Sequence, residues 1–228
     1  MIKDNKLNLI KIVIIYLIYF VYTSIIDSLL HFIGITDDVI ILFISDLCFF
    51  LGIVLYYKET IRKNVYEFKK NYTVKGKMIV VLKWFFIITI INFLYASFSY
   101  LIPGSNPPLD ENTISLREIA NVSSLYIIFK TLIFASVAEE LLFKKAIRDV
   151  IQNDVLFCIV SSVIYATVNI MYTNITIFSI VDFIQYFIFA ILLSYCYVKN
   201  KDNIFIIMVI KFVYALFPLT LMLLGVGA

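Results

Sequence analysis

The residues best placed to do chemistry are two adjacent glutamates, Glu139 and Glu140, followed by Leu141-Leu142-Phe143-Lys144-Lys145. They close a long apolar run that begins near Ile119 and is interrupted by Asn121, Lys130 and a few hydroxyl residues. A carboxylate within a membrane segment is costly, and it faces a protein interior or a water-filled cavity. Burial can also raise its pKa until it serves as a base that deprotonates water. The other chemistry-bearing residues inside apolar runs are Asp27, His31, Asp46, Lys83, Lys130, Asp182 and Lys211. His31 is the only histidine, which restricts any mechanism built on imidazole. Two glutamates without a nearby histidine make a weak zinc set, so no metal and no cofactor is expected. Cys48, Cys158 and Cys196 lie in apolar runs without C-x-x-C spacing, so neither a disulfide framework nor a metal knuckle is indicated.

These residues must be positioned by membrane helices. The chain has 228 residues, of which 62% are hydrophobic and 15% charged, with a mean hydropathy of +0.97. Soluble domains are nearer half apolar and a quarter charged. The expected fold class is therefore all-α, a polytopic membrane helix bundle. A span needs about 20 apolar residues. Seven stretches come near this, at about 8–33, 38–57, 78–102, 119–143, 155–172, 177–198 and 204–226. The first is read as a retained span, because it is longer than a signal-peptide core and lacks a small-residue cleavage site. Pro103, Gly104, Pro107 and Pro108 supply turn chemistry after the third stretch, and Pro218 falls inside the last.

Charge then fixes an orientation. Lys and Arg gather in cytoplasmic loops. With seven spans, 15 of the 19 basic residues fall on one side, seven of them at 58–77. The opposite loops hold Asp37, Asp38, Asp110 and Glu111, with Arg117 as their basic residue. The pattern implies N-in and C-out, and a multi-pass location in a bacterial plasma membrane. The basic stretch at 58–77 also carries Tyr66, Phe68 and Tyr72. It reads as an ordinary topology-setting loop on the headgroups, with a platform for anionic lipid as the alternative. Nothing provides a nucleic-acid docking module, so membrane lipids are the expected surroundings.

Buried charges must pair or neutralise. Asp27 and His31 stand at i, i+4 and can bond each other. Lys130 and Lys211 are natural counter-ions for the acidic residues. Lys130 is nine residues from Glu139, about 13 Å along an α-helix, too far for a direct bridge. Lys211 is the better partner for the glutamate pair.

Glu139-Glu140-x-x-x-Lys144 resembles the E-E-x-x-x-R motif of the CPBP family, which includes CAAX-type prenyl-protein endopeptidases and bacteriocin-processing enzymes. The resemblance extends over about residues 118–217. The family's second motif, F-x-x-x-H, has its counterpart in Tyr165-Ala166-Thr167-Val168-Asn169, preceded by Ser161-Ser162. The third, H-x-x-x-N, has its counterpart in Lys211-Phe212-Val213-Tyr214-Ala215. The resemblance implies an intramembrane glutamic endopeptidase with site residues at Glu139, Glu140, Lys144, Asn169 and Lys211. It implies that Glu139 and position 169 activate a water, while positions 211 and 215 stabilise the oxyanion.

This chain departs from that pattern at Lys144, Asn169, Lys211 and Ala215. Lys145 stands where a glycine is usual. Asn169 can donate a hydrogen bond but cannot shuttle a proton. Lys211 could stabilise an oxyanion, or could hold the glutamates ionised and unavailable. The division suggested is an N-terminal region over 1–117 and a CPBP-like membrane domain over 118–228. The expected function is a CPBP-type membrane protein with a degenerate, impaired catalytic set acting on a peptide or membrane-protein substrate. The alternatives are a non-catalytic scaffold or bacteriocin self-immunity protein, and a small ion-coupled transporter using Asp46 and Asp182. Counted as α-helix, Glu139 sits about 7 Å inside its span and Asn169 about 22 Å inside the next, so the two depths do not meet.

Overall fold

The computed structural model describes residues 2–99, 119–120, 122–171 and 177–224, with only the backbone of 2–7 and 177–178. Pro103, Gly104, Pro107, Pro108, Asp110, Glu111, Asn121 and Arg117 lie outside the described residues. Every described element is helical. In chain order these are α1 (Ile2–Phe32), α2 (Asp38–Tyr56), α3 (Lys58–Asn71) and α4 (Val74–Ser99). A composite rod follows, here α5, made of Ser124–Ile128, Phe129–Glu139, Leu141–Ala146 and Ile147–Val150. Then come α6 (Asp154–Ile170), α7 (Ile177–Lys199) and α8 (Ile204–Leu223).

Among the described residues, five helices, in α1, α2, α4, α7 and α8, are long and apolar enough to cross a membrane. The expected stretch at 155–172 is the shorter apolar helix α6, and that at 119–143 is α5. The chain is thus a polytopic helical bundle. Local sequence explains the helix starts. Asp37, Ser123, Asn153 and Asn203 each accept a hydrogen bond from a backbone N–H of the first turn that follows, as N-caps do. Gly34, with φ of 86°, ends α1 in the left-handed conformation that a glycine enters most easily. α8 runs through Pro218 without ending.

The stretch at 58–77, read above as a loop, contains the helix α3. Half of its residues are the good helix formers Lys, Arg and Glu, and it contains no Gly or Pro, which explains the difference. Asn64 Oδ1 accepts from the backbone N–H of Ile204 at 2.6 Å, and Asn203 Nδ2 donates to the Asn64 carbonyl at 3.0 Å. Phe68 packs edge-on against Phe205, 5.5 Å between ring centroids. α3 is therefore fastened to the first turn of α8.

α5 sits at the centre, touching α1, α2, α6 and α8. Most of it is π-helical, over Phe129–Glu139 and Leu141–Ala146, with hydrogen bonds closing at i→i+5. Such wide turns are frequent at functional sites. Phe129 and Phe134, five residues apart, pack ring to ring at 6.4 Å. Neighbouring helices hold the π segment through its carbonyls. Tyr16 Oη donates to the Leu142 carbonyl at 3.2 Å, and Ser161 Oγ donates to that of Phe143 at 2.6 Å while lying 3.2 Å from Ser194 Oγ. Ser161→Ala should cost about 1–3 kcal/mol, because it deletes a fully buried bond and strands its partners. Unfolding of purified protein in one detergent measures this; a change within error would assign those carbonyls no dependence on Ser161.

The rod ends in a polar knot. Arg148 Nε donates to Asp202 at 3.0 Å, Nη2 to Asp154 at 2.6 Å and Nη1 to the Gln152 carbonyl at 3.0 Å. Burial works to lower the pKa of this guanidinium, but Asp154 and Asp202 outweigh it and hold it above the ordinary value. Lys145 pairs with Asp149 in the same turn. One apolar core runs from Phe49 on α2 through Phe134 and Phe143 on α5 to Ile210 on α8, spanning both sides of the 117/118 division.

Candidate functional site

The rod α5 carries Glu139 and Glu140, and α8 carries Lys211 seven residues past its first residue. Glu140 is fully buried, and the Glu139 side chain is 18% exposed. Lys211 Nζ donates to Glu139 Oε2 at 3.0 Å and to Glu140 Oε1 at 2.8 Å. The partner expected from sequence is therefore the partner found. One ammonium spans both carboxylates, and its own side chain is 6% exposed.

Lys144 is fully buried on the same rod. Its Nζ has no hydrogen-bond partner among the described residues, and neither has Glu140 Oε2. Both lysine heads lie over one aromatic ring, Lys144 Nζ at 5.4 Å and Lys211 Nζ at 5.0 Å from the Tyr165 ring centroid. Cation–π attraction is strongest where, as here, water is excluded. Tyr165 is in turn boxed by Phe143 at 5.2 Å, Phe189 at 6.3 Å and Tyr186 at 6.4 Å. On the α1 side, Tyr19 stands edge-on to Phe143 at 5.9 Å.

Asn169 is not brought into this cluster by any hydrogen bond among the described residues. Its Nδ2 donates to the Tyr165 carbonyl at 2.8 Å, one turn back on its own helix. The depth mismatch noted above is partly removed, because α5 continues helically to Val150 and so carries Glu139 further from its end. The residue of α6 that reaches the glutamates' level is Tyr165. Sequence reasoning kept Tyr165 as the aromatic of the second motif and did not assign it to the site. Its position four residues before Asn169, on the same helix face, was the available signal.

A second polar cluster lies elsewhere in the bundle. Asp46, 2% exposed, accepts from Tyr22 Oη, from Tyr126 Oη at 2.7 Å and from Lys130 Nζ at 2.8 Å. Lys130 also lies 4.3 Å from the Phe134 ring centroid. Asp27 and His31 meet at 3.3 Å with both side chains about half exposed, a local i, i+4 pair.

Residues 121–217 match the family model described as Rce1-like, Type II CAAX prenyl endopeptidase. Over this stretch the chain is similar to that family, consistent with CPBP membership. The CPBP match begins just before α5 and ends within α8, so it takes in the glutamate pair, Tyr165 and Lys211 together. No curated protein and no solved structure matches the chain significantly. Within the CPBP frame, the first motif keeps its two glutamates and the positions of the two histidines hold Asn169 and Lys211.

Proposed function

We propose that this CPBP-family membrane protein does not hydrolyse peptides, and that it acts by binding a peptide or membrane-protein partner. The observation that carries this reading is Lys211 Nζ at 3.0 Å from Glu139 and 2.8 Å from Glu140. A general base must present a free lone pair to a water within hydrogen-bond reach. Here one oxygen of each carboxylate is taken by the ammonium, and Glu140 is closed to solvent. No imidazole stands near to accept or return a proton. Asn169 spends its amide on the Tyr165 carbonyl. Loss of one oxyanion donor alone costs about 10²–10³ in rate, and this chain has replaced both residues of the third motif.

The pairing of Asp46 with Lys130, backed by two tyrosines, supports a structural role for that cluster and weighs against a conducting path through it. The basic stretches support an N-in, C-out orientation in a plasma membrane.

The test uses purified full-length protein and a reporter peptide ending in a prenylated CAAX sequence. Wild type and Glu139→Ala should give the same background turnover. In cells, Glu139→Ala at unaltered protein level should keep the protein's effect. Cleavage by wild type that disappears in Glu139→Ala overturns the reading.

A further inference from the structure

We infer that α3 is a binding site for anionic phospholipid headgroups. The region 58–77 carries seven basic residues against two acidic ones. α3 lays them out asymmetrically. Its buried edge is Asn64 and Phe68, which are fastened to the first turn of α8. At about 100° per residue, Tyr66 falls opposite that edge. Arg62, Lys63, Lys69 and Lys70 flank it, and all four are exposed. Tyr66 is itself 64% exposed, and Lys70 Nζ lies 6.0 Å over its ring. An aromatic ring ringed by lysines and arginines, held rigidly from behind, suits a phosphate-bearing headgroup.

Chain connection places this face at a membrane surface. α2 ends at Tyr56, two residues before α3 begins, and α4 begins at Val74, three residues after it ends. Both neighbours are long and apolar enough to span the bilayer. The headgroup layers add only about 5–8 Å on each side of the hydrocarbon core, less than a helix diameter of about 10–12 Å. With both ends tied to spans, α3 is therefore held at the level of the headgroups, and its long side chains reach phosphates on either flank. Lysine and arginine near an anionic leaflet each strengthen partitioning by about fivefold. The exposed ion pairs on α3 do not cancel this. Arg62–Glu59 at 3.5 Å and Lys63–Glu67 at 3.9 Å are solvent-accessible i, i+3 and i, i+4 contacts of the weak surface kind.

This inference stands apart from the reading of Glu139-Glu140 and survives either outcome there. The experiment titrates full-length protein in neutral detergent micelles with a tail-labelled phosphatidylglycerol, and separately with a phosphatidylcholine of the same tails. Wild type should bind the anionic lipid about tenfold or more tighter than the neutral one, given several headgroup-facing charges. The variant carrying Arg62→Gln, Lys63→Gln, Lys69→Gln and Lys70→Gln should bring the two within about twofold, and so should wild type in about 0.5 M NaCl, where the Debye length is a few ångströms. The salt arm reads the same charges in native protein, should the fourfold variant fold poorly. Lys199→Gln with Lys201→Gln should leave the preference intact. The inference is overturned if wild type does not discriminate, if the preference survives the fourfold change, or if the Lys199 and Lys201 changes abolish it equally. Capture of an acidic peptide without any lipid preference would also overturn it, assigning the surface to a protein partner.

Discussion

Lys211→Met is expected to destabilise the protein by about 3–5 kcal/mol, the cost of breaking a buried ion pair from one side. The change leaves Glu139 and Glu140 adjacent, largely buried and without the ammonium that spans them. Lys144 is on the same rod, yet its Nζ bonds to neither carboxylate and cannot take over without a shift of the helix. At about 2–4 °C per kcal/mol for a chain of this size, the loss corresponds to a fall of roughly 10 °C in unfolding temperature. Adding Glu139→Gln, Glu140→Gln and Lys144→Met to Lys211→Met should recover most of it, because replacing all four charges of the cluster removes the desolvation cost along with the attraction. Unfolding of wild type and the two variants in the same detergent checks both statements. A Lys211→Met protein as stable as wild type would show that the contact does not hold the site, and the proposed inactivity would lose its physical basis.

The second large effect is expected at Asp46. Asp46→Ala should cost about 3 kcal/mol or more, since it strands Lys130 and the hydroxyls of Tyr22 and Tyr126 in a poorly solvated place. Lys130→Met should cost less. Asp46 would keep both phenolic donors, and methionine can retain the packing on Phe134. A double-mutant cycle between Asp46 and Lys130 should show a coupling of about 1–3 kcal/mol, as for contacting residues in one network. The order matters more than the magnitudes. If Lys130→Met proves the costlier change, the tyrosines are not sharing the carboxylate's charge and the network has been misread.

How far the sequence reached can be followed residue by residue. Charge bookkeeping identified Lys211 as the partner of the glutamates, because a buried carboxylate pair needs a cation and Lys130 was too far along its own helix. The same distance argument released Lys130, and the structure gives it to Asp46. The CPBP resemblance read from the motifs, over about 118–217, agrees within a few residues with the range matched by the family model. Other features left no trace in composition. Hydropathy drops at Lys144-Lys145, so an apolar count ends the span there. The fold instead buries Lys144 completely against Tyr165 and continues the rod to Val150. The π-helical stretch has no propensity signature, since the same residues would serve an α-helix. Distances computed at 1.5 Å per residue therefore carried an α-helical assumption into a segment that is not α-helical. The amphipathic α3 was hidden for a different reason. Its buried edge is only Asn64 and Phe68, flanked by the half-buried Ile61 and Val65, so its apolar stripe is too narrow to stand out among so many lysines.

The two buried polar clusters share an electrical property. With every member ionised, Glu139, Glu140, Lys144 and Lys211 sum to no net charge, and so do Asp46 and Lys130. Moving one unbalanced charge across a bilayer potential of about 100 mV is worth about 2.3 kcal/mol. A neutral cluster experiences no such net force, only a torque on its internal dipole. The bundle thus holds six ionisable side chains in its interior while offering the membrane voltage no net charge to pull on in either cluster.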